Sequence, residues 1–168
     1  MDLKVLHKIS YGLYVVSSAI GDRFNGQIAN TVFQITSEPP TLAVSINKVN
    51  LTHEFIKKSG LFVVNILDIN TEMIFIGRFG FKSGRDIDKF DGVKYHKSRR
   101  GIPILEENSI GFMEVVLNKD LDVGTHTVFI GDVIDGDIIT EGEPLTYAHY
   151  HLVKRGKAPK TAPTYIKE

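Results

Sequence analysis

The sequence predicts a mainly β fold with a few short helices, on three observations. Stretches of alternating apolar and polar residues recur, as in TLAVSIN (41–47), and a period of two marks a strand with one buried face. Clusters such as Gly21-Asp22 and Pro39-Pro40 break these stretches where a strand must turn or stop. Helical spacing with start and stop residues is confined to short segments.

In chain order, Leu3, Val5, Leu6 and Ile9 have a short helix-like spacing. GLYVVSSAI (12–20) is β-branched and aromatic, and the run from Gly21 to Gly26 turns it into a second strand. GQIANTVFQITSEPP (26–40) alternates, with Ala29, Thr31, Phe33 and Ile35 on one face and Ile28, Asn30, Val32 and Gln34 on the other. In 41–47, Leu42, Val44 and Ile46 oppose Ala43, Ser45 and Asn47. A helix follows, with Asn50 or Thr52 as its cap, Leu51, Phe55 and Ile56 as its apolar face, and Gly60 as its end.

LFVVNIL (61–67) is a continuous apolar run, short enough for a buried strand. Thr71 caps a second short helix, TEMIFIGR (71–78). Residues 79–100 read as a long loop with one helical turn near 86–90, and long structured loops in compact domains are often functional. SIGFMEVVLNKDLDV (109–123) and HTVFIGDVIDGDII (126–139) form a hairpin about Gly124-Thr125. The tail from Gly156, GKAPKTAPTY, reads as extended. No repeat or linker divides the chain, so one domain is expected over 1–168. Closing the strands into a barrel would remove the exposed edges that so many strands create.

Composition narrows the chemistry. Twenty basic and twenty acidic residues cancel, which argues against a dedicated nucleic-acid binder. With no cysteine, disulfides, thiolate metal sites and cysteine nucleophiles are excluded. An electron-transfer protein of this composition needs a cofactor held by non-covalent contacts or by nitrogen and oxygen ligands. The N-terminus, MDLKVLHKIS, lacks the apolar core of a signal peptide, and no apolar run reaches the length of a membrane span. The expectation is a cytoplasmic protein.

Three features bear on function. Asn30, Thr31, Ser45 and Asn47 are small hydrogen-bonding residues set in apolar strands, and buried polar groups need partners. Neighbouring backbone or one solvated face would satisfy them; so would a heterocycle with carbonyls and ring nitrogens. Asn50, Thr52 and His53, with Lys48 just before, surround a helix start; plain capping accounts for them, and so does a phosphate on the free amides. His126, in GTH (124–126), is in phase with Val128 and Ile130 and so points to an apolar face. It is either a satisfied structural residue or one that stacks on a ring or steers a proton. His149 and His151 share a face only if their segment is extended, a weak metal signal; no metal is expected. Neither a Gly-rich phosphate loop nor a GxSxG elbow occurs.

The segments ISYGLYVVSS (9–18), GQIANTVFQITSEPPTLAVSINKVNLTHEFIKKSG (26–60), FIGRFGFKSG (75–84), DKFDGV (88–93), DVGTHTVFIGDV (122–133) and LTYAHYHLVKRGKAPKTAPTY (145–165) together resemble, in order and nearly end to end, the flavin reductase-like, FMN-binding split-barrel family. The likeness is greatest to its branch of ferric reductases and flavin domains of high-molecular-weight rubredoxins. The resemblance implies a Greek-key split β-barrel, a homodimer, and one tightly but non-covalently bound FMN per subunit. It places the flavin ring against Gln27, Ile28, Ala29, Asn30 and Thr31, bordered by Ser45, Ile46 and Asn47. It places the phosphate near Asn50, Thr52 and His53, with Arg78, Phe79, Phe81 and Lys89 as further contacts. His126 falls where a nicotinamide would approach. Some relatives carry a cysteine where this chain has Ser45, and the CxxC pairs of a rubredoxin module are absent here.

The implied activity is NAD(P)H-dependent flavin or ferric reduction, passing electrons from a reduced nicotinamide through FMN to free flavin, a ferric chelate or a redox protein. The alternative is a non-enzymatic FMN carrier reduced by a protein partner such as a rubredoxin. No nucleic-acid or membrane partner is expected.

Overall fold

The computed structural model describes residues 2–165. A 3-10 helix, Leu3–Lys8, precedes β1 (Tyr14–Ile20) and β2 (Arg23–Ala29). Then come β3 (Val32–Ser37), β4 (Pro40–Asn47), α1 (Leu51–Ser59), β5 (Leu61–Leu67) and α2 (Met73–Phe81). The second half holds β6 (Tyr95–Lys97), β7 (Pro103–Leu105), β8 (Ser109–Asp122), β9 (His126–Ile138) and α3 (Tyr147–Leu152).

Seven strands form one antiparallel sheet in the order β2-β1-β5-β8-β9-β4-β3. Its two edge strands, β2 and β3, are consecutive in the chain and joined by Asn30-Thr31 alone. A sheet whose edges are tethered by two residues has to curl until they approach each other, which makes it a barrel split at that joint. The interior is apolar: Val16, Val44, Ile46, Phe62, Val64, Val115 and Phe129 are buried together, from five different strands, with Ile56 of α1 among them. Residues of adjacent parity face outward. Val15 and Leu67 pack under Phe75, Ile76 and Phe79 of α2, and Val63 packs against Ile102 and Ile104. Both faces of β1 and β5 are therefore covered, which is why LFVVNIL needs no alternation.

Several expectations need correction. The stretch 26–40 is two strands, and the break at Asn30-Thr31 resets the phase. Ala29 and Val32 both pack on the barrel interior, where strict alternation would have set them on opposite faces. Helix α2 starts after Glu72, not at a Thr71 cap; the Thr71 hydroxyl donates instead to the Asn108 carbonyl at 3.2 Å. The helix continues through Phe81, so Phe79–Phe81 are helical and not loop. The turns between 83 and 92 form no helix, and the β6–β7 hairpin follows them. Tyr147–Leu152 is helical, with the Thr146 hydroxyl accepting from the His149 amide, so His149 and His151 do not share a face.

Candidate functional site

Outside the barrel wall, next to the split, lies a cavity of about 290 Å³. Strand β4 builds one side of it. Because Val44 and Ile46 point inward, Ser45 and Asn47 must point outward, and both line the cavity. Strand β2 and the joint supply Asn25, Gln27, Ile28, Ala29 and Asn30. The Thr31 side chain does not line the cavity; its hydroxyl donates to the Ser45 carbonyl at 3.2 Å, and its own carbonyl accepts the Ser45 amide at 3.1 Å. Thr31 therefore ties the joint to β4. Ile46 is fully buried inside the barrel.

The start of α1 forms one end of the cavity, with Asn50, Leu51 and Thr52 in its lining. The Asn47 carboxamide accepts the Val49 amide at 3.1 Å, and its carbonyl accepts the Asn50 amide at 3.1 Å, folding the chain tightly from β4 into the helix. Asn50 is the N-cap residue, yet its side chain makes no capping bond. First-turn amides without a side-chain cap carry the positive end of the helix dipole into the cavity. Thr52 accepts from the Asn25 carboxamide at 2.7 Å. His53 turns away from this end: its Nε2 lies 2.8 Å from the Thr127 hydroxyl and its ring 5.1 Å from that of Phe129. Burial, and then Lys57 and Lys48, hold His53 below the usual imidazole pKa.

The end of α2 forms the third wall. Phe79 and Phe81 line it, while Arg78 reaches out to the Asp91 carbonyl. Beyond the helix, Lys82, Ser83 and Gly84 also line the cavity. A Cβ on Gly84 would sit 1.9 Å from Asn25 Oδ1 and 3.1 Å from Leu51, so only glycine lets this loop approach the start of α1 so closely. The resemblance takes in Lys82–Gly84 as the end of FIGRFGFKSG (75–84), but no local pattern assigns these three residues to the site.

Lys89 is only 4% exposed, and its ammonium donates to the carbonyls of Gly26 at 2.8 Å and Phe79 at 3.1 Å. Desolvation pulls its pKa down to about 8. Among the described residues it makes no ion pair with a carboxylate, and these two carbonyls engage two of its three N–H donors. Two acceptors in the cavity lining, Asn25 Oδ1 and Gln27 Oε1, are buried with no partner. Buried polar atoms without partners are costly, so the cavity is built for something that donates hydrogen bonds at one place and carries negative charge at another. A flavin nucleotide has both: a ring with N–H and carbonyl groups, and a phosphate. The donor set here fits one.

His126 pairs with Asn47 across β4 and β9, on the outer face that also carries Val128 and Ile130; Thr127, Phe129 and Gly131 take the inner face. Its Nδ1 lies 2.8 Å from the Thr125 hydroxyl, and its Nε2 lies 3.2 Å from the Thr161 carbonyl. A carbonyl can only accept, so Nε2 carries the proton and Nδ1 accepts from Thr125. Burial lowers the pKa of this imidazole, against the hydrogen bond to Thr161, and so favours its neutral form. The side chain is not part of the cavity wall but flanks it, because Asn47 and Thr161 are lining residues.

Tyr147, Tyr150 and the tail, 157–163, also line the cavity, with Leu13, Val49, Ile76 and Gly80. The tail, which its sequence predicts to be extended, is not so throughout: after Pro159 it folds into two successive turns, with the Ala162 amide donating to the Pro159 carbonyl at 2.9 Å and the Tyr165 amide to the Ala162 carbonyl at 3.0 Å.

Comparison with known proteins gives a consistent picture. The flavin reductase like domain family matches residues 6–155. The chain is 56% identical over 165 residues to a high molecular weight rubredoxin of Moorella thermoacetica, covering 98% of this chain and 72% of that protein. It is 48% identical over 166 residues to a ferric-chelate reductase (NAD(P)H) of Archaeoglobus fulgidus, covering 99% and 98%. Among solved structures, an FMN-binding protein from Thermus thermophilus with bound p-hydroxybenzaldehyde superposes with a TM-score of 0.72 at 25% identity, over 79% of this chain and 74% of that one.

Proposed function

The chain belongs to the flavin reductase like family, and from that premise we propose that it is an FMN-dependent oxidoreductase that takes electrons from NADH or NADPH. The observation that carries this is the cavity beside the barrel split, where two unpartnered acceptors, an uncapped helix start and a buried lysine converge. Bound FMN would supply the redox chemistry, accepting a hydride from the nicotinamide and passing electrons onward.

The chain's own residues hold and orient. Gln27, Ala29, Asn30, Ser45 and Asn47 border the ring. Asn50, Thr52, Lys89 and the Lys82–Gly84 turn receive the phosphate, through amides, hydroxyl and ammonium. Thr31 and Ile46 fix the backbone of the joint and of β4. His53 and Arg78 brace the helix start and the end of α2. His126, neutral and outside the ring site, receives the nicotinamide. The ferric-chelate reductase and the high molecular weight rubredoxin among the relatives support a ferric chelate or a redox protein as acceptor.

Two copies are proposed to pair through the face bearing Phe33 and Ile35, large apolar side chains exposed on edge strand β3. Light scattering of the purified chain tests this pairing.

The test of the main reading is direct. The purified protein is expected to show a flavin spectrum, to release FMN and not FAD on denaturation, and to bleach when NADH or NADPH is added. Bound FMN with no reduction by either nucleotide, but rapid reduction by a reduced rubredoxin, would convert the reading to a protein-fed electron carrier.

A further inference from the structure

Residues 157–164 form a strap across the cavity, fastened at three places. At its base, the Gly156 amide donates to the Tyr150 carbonyl at 2.9 Å, His151 Nδ1 donates to the Gly156 carbonyl at 2.7 Å, and the Tyr150 hydroxyl donates to the Lys157 carbonyl at 2.9 Å. At its middle, the Thr161 carbonyl takes Asn47 Nδ2 at 3.3 Å and His126 Nε2 at 3.2 Å. At its end, the Thr164 hydroxyl takes Asn30 Nδ2 at 3.0 Å and pairs with the Tyr147 hydroxyl at 2.7 Å. Pro159 and Pro163 line the cavity between these points. Proline has a fixed φ and no N–H, so this span is stiff and leaves few backbone donors to satisfy.

Three of the body residues that grip the strap, Asn30, Asn47 and His126, are the ones assigned above to ring and donor. The family match ends at residue 155, before the strap. The alignments with the two relatives cover 98% and 99% of the chain and so run into it. The strap therefore lies beyond the family match and within the segment shared with these two relatives.

We propose that the strap is a clasp that retains the flavin as a prosthetic group, so that electrons leave through the site and not by release of reduced flavin. This rests on the FMN reading and deepens it, because it removes free flavin as a released product and leaves acceptors that come to the protein, a ferric chelate or a redox protein. FMN held between the strap and β2 cannot leave until the fastenings open, and the rate of opening sets its residence time.

The experiment measures FMN release, not turnover. Full-length Thr164→Val loses the hydroxyl that joins Asn30 to Tyr147 while keeping its shape. Full-length Gly156→Ala puts a methyl 2.0 Å from the buried Tyr150 ring and forces the base of the strap to move. Each protein is loaded with FMN and diluted, and the rise of free-flavin fluorescence is followed. Both variants are expected to release FMN at least tenfold faster than wild type. In wild type, amide hydrogen exchange of 157–164 is expected to slow when FMN is bound. Release from Thr164→Val at the wild-type rate overturns the clasp, and so does strap exchange that FMN leaves unchanged. If Gly156→Ala does not fold, these two measurements decide alone. Wild-type protein that binds no FMN removes the cofactor reading itself, a different result from FMN bound without a clasp.

Discussion

Strand β4 has two sides, and they face different worlds. Inward, Val44 and Ile46 join Phe62, Val64 and Phe129 in one buried apolar cluster. Outward, Ser45 and Asn47 face a cavity that holds a buried lysine and two acceptors lacking partners. The same eight residues thus pack the core on one parity and line the cavity on the other. The difference teaches that the polar residues of β4 are not tolerated defects in a core strand. They belong to a second environment that starts at the barrel wall.

That division can be tested from both sides. The largest effect is expected on the inner side: Phe62→Ala should cost roughly 3–5 kcal/mol in denaturant unfolding through the cavity it leaves. A loss below ~1 kcal/mol would mean that the interior is less tightly packed than its burial indicates.

Next comes Lys89. Removing its ammonium in Lys89→Met should weaken FMN binding roughly ten- to a hundredfold, the range of a charge-assisted hydrogen bond. Its pKa, lowered to about 8, adds a pH signature with a defined sign. Below pH 8 the free protein carries the charge, and binding an anion needs no proton uptake. Above it the charge is lost, so affinity should fall as pH rises through about 8, and the variant should show no such step. The folding equilibrium should respond in the opposite sense. Between the folded value and the ordinary lysine value near 10.5, the unfolded chain binds the proton that the folded chain has released, so stability should rise with pH in that window. Titrations of flavin fluorescence and of unfolding, run in parallel, check both signs.

A smaller effect is expected at His126. His126→Ala should keep its FMN and slow nicotinamide oxidation about tenfold, less than the roughly hundredfold or more of a general acid or base, because His126 positions the donor and transfers no proton. Unchanged turnover would remove this residue from the reaction. The smallest effect is expected for Ser45→Ala: a few-fold loss of FMN affinity, in keeping with one neutral hydrogen bond, and a melting temperature close to wild type. A large fall in stability with unchanged FMN affinity would move Ser45 from the ligand side of the strand to the structural side.

Most of the strand architecture can be read from the chain because each strand has its own pattern. The alternation of β4, the apolar run of β5 and the Gly124 turn of the last hairpin are local signals, and the structure follows them. The break at Asn30-Thr31 is not a local signal. Nothing in ANTVF marks a kink; it arises because β2 and β3 must lie at opposite edges of one sheet. The position of the Lys82–Gly84 turn is not readable for a similar reason, since its place beside Asn25 depends on α2 ending where it does. Helix α3 is short and rich in aromatic residues, so its Thr146 cap was its main signal. Among the proposed ligand residues, Ser45 and Asn47 follow from the alternation of β4, whereas the consecutive run Gln27–Asn30 follows no parity and Thr31 and Ile46 lie outside the cavity lining. The orientations of His53 and Arg78 were not, because side chains choose between neighbours that only the folded chain provides.

The joint between β2 and β3 has one further consequence. It closes the circle of strands with covalent chain where hydrogen-bonded pairing stops, and Asn30, half of that joint, lines the ligand cavity. A molecule gripping Asn30 on one side and β4 on the other works as a rivet across a seam. By mass action such a ligand stabilises the closed form in proportion to the logarithm of its concentration. Thermal midpoints measured with and without added flavin would then report the strength of the seam, and the sheet's two free margins would be the first places to loosen when the rivet is withdrawn.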